Sequence, residues 1–324
     1  MLPLKNFSLA KPLNIQELKV QLAQAHSATK LIAGGTDLLP NLKHGLYDLT
    51  HMISLRHVKE LNNLEIGLDN LKIGSNITLH ELSINLKLKE VFPAIQYAAS
   101  QIASPHLRRM GTVGGNICLD TRCTYFNQSE FWRKALGYCI KKDGDLCHVV
   151  KNGKRCVAAS SNDLATILLA YDARLTIISS QQERVIDLSD FYTANGEKNN
   201  ILEHHEVVTQ VELKRTAHTR AGFVKLRHRS SIDFPLLSIG VVFTLNQNNK
   251  FESGRLVINA LVAKPKIFEL ERYNTQIYNE DLIKIIAREA REKCHPQTNI
   301  AEDTNWRKEM IEYYTMLAFR QAHV

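Results

Sequence analysis

Two double-glycine stretches constrain this chain more than any other feature. Gly34-Gly35 follows the short apolar run Leu31-Ile32-Ala33, and Gly114-Gly115 sits within Gly111-Thr112-Val113-Gly114-Gly115-Asn116. A buried strand that runs into paired glycines and then into a helix lets backbone amides approach an anion closely, with a pyrophosphate as the natural guest. Thr36 adds a hydroxyl donor, and Asp37 is placed to cap the helix or to meet a sugar hydroxyl. One such loop is often only a turn. Two of them, one from each of two successive α/β units, can grip one long ligand between the units. Neither has the spacing G-x-G-x-x-G, so an ordinary Rossmann dinucleotide site is not indicated.

The surrounding pattern supplies the two units. Asn14 with Glu17 reads as a helix start, and Ile15, Leu18, Leu22 and Ala25 share one face of the helix that follows. His51 to Leu55 reads as the next strand. In the second unit Leu71 to Ser75 reads as a strand, Thr78 with Glu81 as a capping box, and Pro93 as the first turn of a helix whose inner face includes Ile95, Ala99 and Ile102. After about residue 161 apolar spacing resumes, with a helix at 164–169 and a strand at 175–178. The last third reads as α+β, with strands at 207–213, 222–226, 238–245 and 256–261. Helices at 281–293 and 305–321 follow, the last with Trp306, Met310, Tyr314 and Leu317 as its core-facing stripe.

Between these regions the texture changes. Five of the six cysteines fall from Cys118 to Cys156, and only Cys294 lies elsewhere. Periodicity fades over the same stretch, and a long segment without it needs a reason such as a bound metal. The spacing is Cys123, then Cys139 after fifteen residues, Cys147 after seven more and Cys156 after eight. Four thiolates can hold a [4Fe–4S] cube or a tetrahedral zinc, and neither the short zinc-ribbon knuckles nor the bacterial ferredoxin run is present. In a reducing compartment clustered cysteines point to metal or redox chemistry rather than disulfides.

Charge and hydropathy exclude more than they assign. The net charge of +8 fits a polyanionic partner or simply a solvated basic surface. No RNP-like or zinc-finger spacing supports a nucleic-acid module. No apolar run reaches the ~18 residues of a membrane helix. The first eleven residues lack a secretory apolar region, so a cytoplasmic chain is expected. No acid–base pair or nucleophile triad stands out, so no catalytic side chain is assigned. His204-His205 reads as solvent-facing.

The stretch "AGGTDLL", followed some 75 residues later by "GTVGGNIC", resembles the flavoprotein subunit of the xanthine dehydrogenase and carbon monoxide dehydrogenase family. The likeness extends to "IDFPLLSIGVVFTL" at 232–245 and "LVAKPKIFELE" around Pro265. It implies an α+β fold: a two-part FAD-binding domain of the molybdenum-hydroxylase flavoprotein type (PCMH-like) plus a C-terminal α+β domain. The divisions implied are 1–56, 57–215 with an insert at about 118–161, and 216–324. The implied FAD contacts are Leu31, Ile32, Ala33, Gly34, Gly35, Thr36, Asp37 and Leu38, and Thr112, Val113, Gly114, Gly115 and Asn116. Ile102, Thr124, Asp163 and Lys225 complete the set. Read from its residues alone, Asp163 is a helix cap and Lys225 a surface lysine. Leu107-Arg108-Arg109-Met110 departs from the Ile-Arg-Asn type of stretch that many relatives carry, without touching the glycine loop.

The insert, with "DTRCTYFNQSEFWR", "GYC" and "GDLCHV", is similar to that of the β subunits of 4-hydroxybenzoyl-CoA reductases, where it holds a [4Fe–4S] cluster. That likeness implies Cys123, Cys139, Cys147 and Cys156 as ligands and leaves Cys118 out. It also implies partner subunits, a large one with molybdopterin and a small one with [2Fe–2S] clusters, assembled as a dimer of heterotrimers. Ferredoxin would be the electron donor, and the reaction the reductive dehydroxylation of 4-hydroxybenzoyl-CoA to benzoyl-CoA. The basic excess of the insert, Arg133, Lys134, Lys141, Lys142, Lys151, Lys154 and Arg155, is placed to steer an acidic donor. The alternatives are an oxidising dehydrogenase subunit of the same family and a zinc-stabilised basic binding module.

Overall fold

The computed structural model describes residues 3–216 and 218–322. Its architecture is α+β, as the sequence led us to expect, built on three sheets. Strands β1 (Ser8–Ala10), β2 (Thr29–Ile32) and β3 (His51–Ser54) form a small parallel sheet in the order β1–β3–β2. Parallel strands need crossovers, and the helix Ile15–Ala23 lies in the one from β1 to β2 and the helix Leu38–Lys43 in the one from β2 to β3. The Asn14 side chain accepts the Glu17 amide at 2.9 Å to start that helix, and Leu18 and Leu22 are fully buried beside Ile53 and Val58.

The second sheet is antiparallel and runs β4 (Leu64–Ile66), β5 (Asn70–Gly74), β6 (Arg174–Ile178), β7 (Glu183–Asp187) and β8 (Val207–Lys214) in the order β4–β5–β8–β6–β7. The strand read at 207–213 alongside the C-terminal strands is therefore the central strand of this sheet. Helices Leu79–Ile84, Leu86–Val91 and Pro93–Ser100 share one core with it. The first carries the full Thr78/Glu81 capping box. Helix Asp163–Ala170 is buried on every side because it also packs on the third sheet.

That third sheet is antiparallel, β9 (Thr219–Leu226), β10 (Leu237–Leu245), β11 (Phe251–Asn259) and β12 (Lys266–Glu269), in the order β12–β11–β10–β9. Helices Glu280–Lys293 and Thr304–Arg320 pack with it around a separate core. Of the stripe expected on the last helix, Met310, Tyr314 and Leu317 pack half-buried on this core, while the fully buried line lies one residue further on. Arg307, Ile311, Thr315 and Ala318 are buried, while Trp306 is 39% exposed. Burying Arg307 is possible because its guanidinium donates to the carbonyls of Leu236, Gln297 and Ala260 at 3.1, 2.9 and 2.5 Å. Among the described residues no helix is long and apolar enough to cross a membrane.

Candidate cofactor sites

The first glycine loop joins β2 to the short helix Leu38–Lys43, and residues 31–38 are all half-buried. Among the described residues the amides of Gly34, Gly35, Thr36, Asp37 and Leu38 donate to no protein acceptor. Gly35 holds a left-handed φ of +69°, and a Cβ on Gly34 would stand 1.8 Å from the Met110 carbonyl oxygen. Gly34 is thus glycine because the two loops touch, and a row of unspent donors is left where they meet. Asp37 makes no capping hydrogen bond, contrary to one of the roles expected for it. Its carboxylate pairs with Arg122 and accepts the Asn41 amide at 2.9 Å.

The second loop is built differently. Thr112 caps the helix Val113–Ile117 by accepting the Gly115 amide at 3.1 Å. The Val113 and Gly114 amides are spent on the carbonyls of Ile77 and Ser75, and the Asn116 amide on Thr112. Gly114 is buried with its would-be Cβ 2.7 Å from that of Ser75, whereas Gly115 is exposed and meets only the Thr112 hydroxyl. This loop therefore offers side chains and an open glycine surface rather than an amide nest.

Behind it, Asn116, Ile102, Asp163 and Lys225 come together. Asn116 Oδ1 accepts the Leu164 amide at 3.1 Å. Lys225, on β9, donates from Nζ to Asp163 Oδ2 at 2.6 Å and to the Gln101 carbonyl, next to Ile102, at 3.2 Å. The two paired side chains are 2% and 3% exposed, so Lys225 is not a surface lysine. Nor does Asp163 cap its helix, which starts at Asp163 itself from Asn162. Burial pushes the Asp163 carboxyl above the usual range, and the Lys225 ammonium pulls it back. Asp163 Oδ1 is buried without a partner. A charged oxygen left so is costly, and a ligand donor would satisfy it. The free amides of the first loop and this orphaned oxygen fit a long ligand carrying both phosphate and hydrogen-bond donors, as FAD does.

The cysteine-rich segment folds as a lobe with one short helix, Glu130–Ala135, and otherwise turns, which is why its periodicity is lost. Cys123, Cys139 and Cys156 are buried with Leu46, Phe126 and Ala158, and Cys147 is half-buried. All four line one cavity together with Lys141 and His148. Among the described residues no three His, Cys, Asp or Glu side chains converge as on a single ion. The thiols stand around a space rather than meeting at a point. Burial pushes the Cys156 thiol up to about 11, while the Ala158 amide, 3.5 Å from its sulfur, and Lys141 act the other way. The donor set suits a group bound by thiolates. His148 contacts the Tyr138 carbonyl through Nε2 at 2.6 Å and stacks on Tyr125.

Cys118 stands apart, packed against the central core, with its thiol raised to about 12 by burial. Cys294, also buried, ends the helix Glu280–Lys293. Thr124 follows Cys123 in the lobe, its amide on the Asn299 carbonyl at 2.8 Å. The lobe is braced on the segment after the first loop. Arg133 donates to the carbonyls of His44 and Gly45 at 3.2 and 3.0 Å, and Lys142 pairs with Asp48 at 2.7 Å. Arg133 and Lys141 are buried, so they cannot form part of a basic docking surface, whereas Lys134, Lys151, Lys154 and Arg155 remain exposed. Sequence reasoning missed Arg122, Asp120, Tyr47 and Gln101, whose roles depend on partners some 70 to 125 residues away. No local spacing marks them.

The family described as the FAD binding domain in molybdopterin dehydrogenase matches residues 5–214. The chain is 23% identical over 317 residues to the glyceraldehyde dehydrogenase medium chain of Sulfolobus acidocaldarius, covering 97% of this chain and 98% of that one. It is 29% identical over 253 residues to the aldehyde oxidoreductase FAD-binding subunit PaoB of Escherichia coli (strain K12), covering 75% and 78%. Among solved structures, a chain of the carbon monoxide dehydrogenase from Hydrogenophaga pseudoflava superposes with a TM-score of 0.78 at 20% identity. It covers 99% of this chain and 98% of that one, a likeness of fold.

Proposed function

The chain belongs to the family of FAD-binding domains of molybdopterin dehydrogenases, and from that premise we propose that it is the flavo-iron–sulfur, electron-transferring subunit of a molybdenum-containing reductase. The observation that carries the iron–sulfur part is the single cavity lined by Cys123, Cys139, Cys147 and Cys156. We take these four as the ligands of a [4Fe–4S] cluster. When bound, the cluster supplies one-electron transfer, and FAD links one-electron to two-electron transfer.

The chain's own part is to hold and to polarise. The free amides from Gly34 to Leu38 receive the diphosphate, with Leu31, Ile32 and Ala33 leading into them. Thr112 and Val113 set the helix that presents Gly115 and Asn116, while Gly114 seats it on Ser75. Ile102 gives an apolar wall, Asp163 an acceptor, and Lys225 works against the rise that burial gives its carboxyl. Thr124 completes the contacts from the lobe side. The divisions at 56 and 215 mark the two flavin subdomains and the C-terminal domain.

The substrate belongs on a partner. A large molybdopterin subunit and a small [2Fe–2S] subunit, in a dimer of heterotrimers, would carry out the reductive dehydroxylation of 4-hydroxybenzoyl-CoA, with ferredoxin as donor. The four-cysteine lobe favours this reading over direct flavin–nicotinamide exchange, which needs no extra cluster. A second reading, an oxidising dehydrogenase subunit acting on another substrate, is favoured by the names of the relatives. Assay of the co-purified complex decides between them. Benzoyl-CoA formed from 4-hydroxybenzoyl-CoA with a reduced one-electron donor supports the first, and substrate oxidation without it supports the second. A zinc-stabilised module without redox function gives way to the family match.

A further inference from the structure

A lysine is among the residues that line the cavity of the four thiols. Lys141 lines it together with the four cysteines, and its side chain is only 3% exposed. Nζ donates to Asp120 Oδ1 at 2.8 Å, to Thr121 Oγ1 at 2.5 Å and to the Thr121 carbonyl at 3.2 Å. It also stands 4.5 Å from the centre of the Phe126 ring. Three acceptors thus engage the ammonium protons, so the charge is fixed in place. Asp120 is held in turn by the Tyr47 hydroxyl at 2.7 Å on its other oxygen.

A plain structural brace would not need a buried ammonium, because an apolar side chain could join these segments without the desolvation cost. The charge matters where it sits. A unit charge in a low-dielectric wall acts strongly on charge gained nearby. Asp120 offsets part of it, but it is the more exposed partner and is more open to solvent screening.

We propose that Lys141 positions a fixed positive charge that raises the reduction potential of the centre held by the four thiolates. This rests on the reading above that Cys123, Cys139, Cys147 and Cys156 hold an iron–sulfur cluster. The step it governs is uptake of one electron from a low-potential one-electron donor. No bond forms or breaks, and the donor is oxidised by one electron.

The test is a redox titration of the anaerobically reconstituted full chain, followed by electron paramagnetic resonance with dithionite as reductant. Wild type, Lys141→Met, Lys141→Arg and Asp120→Asn are compared, with iron and FAD content measured for each. Lys141→Met is expected to titrate lower, its reduced-to-oxidised ratio at a fixed potential falling about tenfold, which is about 59 mV for one electron. Lys141→Arg should stay near wild type, and Asp120→Asn should move the opposite way. Loosened structure alone would lower iron content without opposite shifts. A Lys141→Met chain with full iron and the wild-type potential overturns the proposal. If Lys141→Met does not hold iron, Asp120→Asn decides, and an unmoved or lowered potential there overturns it. A wild-type chain that takes up no cluster contradicts the reading beneath and this proposal with it, whereas a wild-type cluster with unmoved variants contradicts this proposal alone.

Discussion

Asp37, in the first glycine loop, and Arg122, the residue before Cys123, form an ion pair that joins the flavin loop to the cysteine lobe. Burial pushes the Asp37 carboxyl up, and Arg122 works against that. The Phe234 ring lies 4.2 Å from the guanidinium and shields it on one side. The two candidate cofactor sites are therefore mechanically and electrostatically connected.

Arg122→Met removes the cation and leaves Asp37 half-buried beside the free amides. FAD should dissociate about tenfold more readily, about 1.4 kcal/mol, because the loop loses its anchor to the lobe. Flavin fluorescence on dilution measures this. Unchanged retention would mean that the pair does not hold the loop.

Lys225→Met should be among the most damaging single changes. Removing one partner of a buried pair costs about 3–5 kcal/mol, since the other charge is stranded. Asp163, already raised by burial, would then rise further. A carboxyl with a raised pKa binds a proton more readily in the folded state than in the unfolded one. The variant should therefore gain stability as pH falls through the folded value towards the unfolded one, and lose it as pH rises. Denaturant melts across a pH series read the slope, and the added change Asp163→Leu should flatten it.

Gly34→Ala and Gly115→Ala separate packing from ligand contact. A methyl on Gly34 collides with the Met110 carbonyl, so the loops must part, at a cost of about 1–3 kcal/mol. A methyl on Gly115 meets only a hydroxyl at 3.1 Å and sits in a helix, where alanine is favoured. Thermal melts should show Gly34→Ala destabilised. Gly115→Ala should fold normally but retain less flavin, because its methyl projects from the exposed face of the loop. Full flavin occupancy in folded Gly115→Ala would move the ligand off that face.

Lys151, Lys154 and Arg155, exposed on the lobe just before Cys156, are the cations left to test for the steering role expected of the whole insert. Reversing Lys151 and Lys154 to Glu should slow reduction by ferredoxin at low salt. The difference should vanish near 1 M, where the Debye length is about 3 Å. Stopped-flow rates that match wild type at every salt would leave these lysines without a docking role.

Much of the fold is legible because its signals are local. Asn14, Thr78 and Pro93 start helices where side-chain chemistry predicts, and the apolar runs that become β3, β5, β6 and β10 are short and bounded by turns. The last helix misleads because Arg307 is buried and Trp306 is not, an inversion that only the three carbonyl partners of Arg307 explain. Lys225 misleads for a related reason, since its partner lies 62 residues away on a buried helix. The cysteines are legible as a set, but the burial of Arg133 and Lys141 among them is not. Their acceptors come from segments 44–45 and 120–121. The glycine pairs mark two loops that meet, without revealing that one spends its amides internally and the other leaves them free.

The central claim is that this chain carries both FAD and a four-cysteine cluster, and metal and flavin analysis of anaerobically reconstituted protein tests it most directly. The prediction is about one FAD and four irons per chain, the iron following from one [4Fe–4S] cube. Cys139→Ala should lose the iron and keep the flavin, and Cys118→Ala should keep both, because Cys118 lies outside the cavity. Stoichiometric zinc without iron, or full iron in Cys139→Ala, would contradict it.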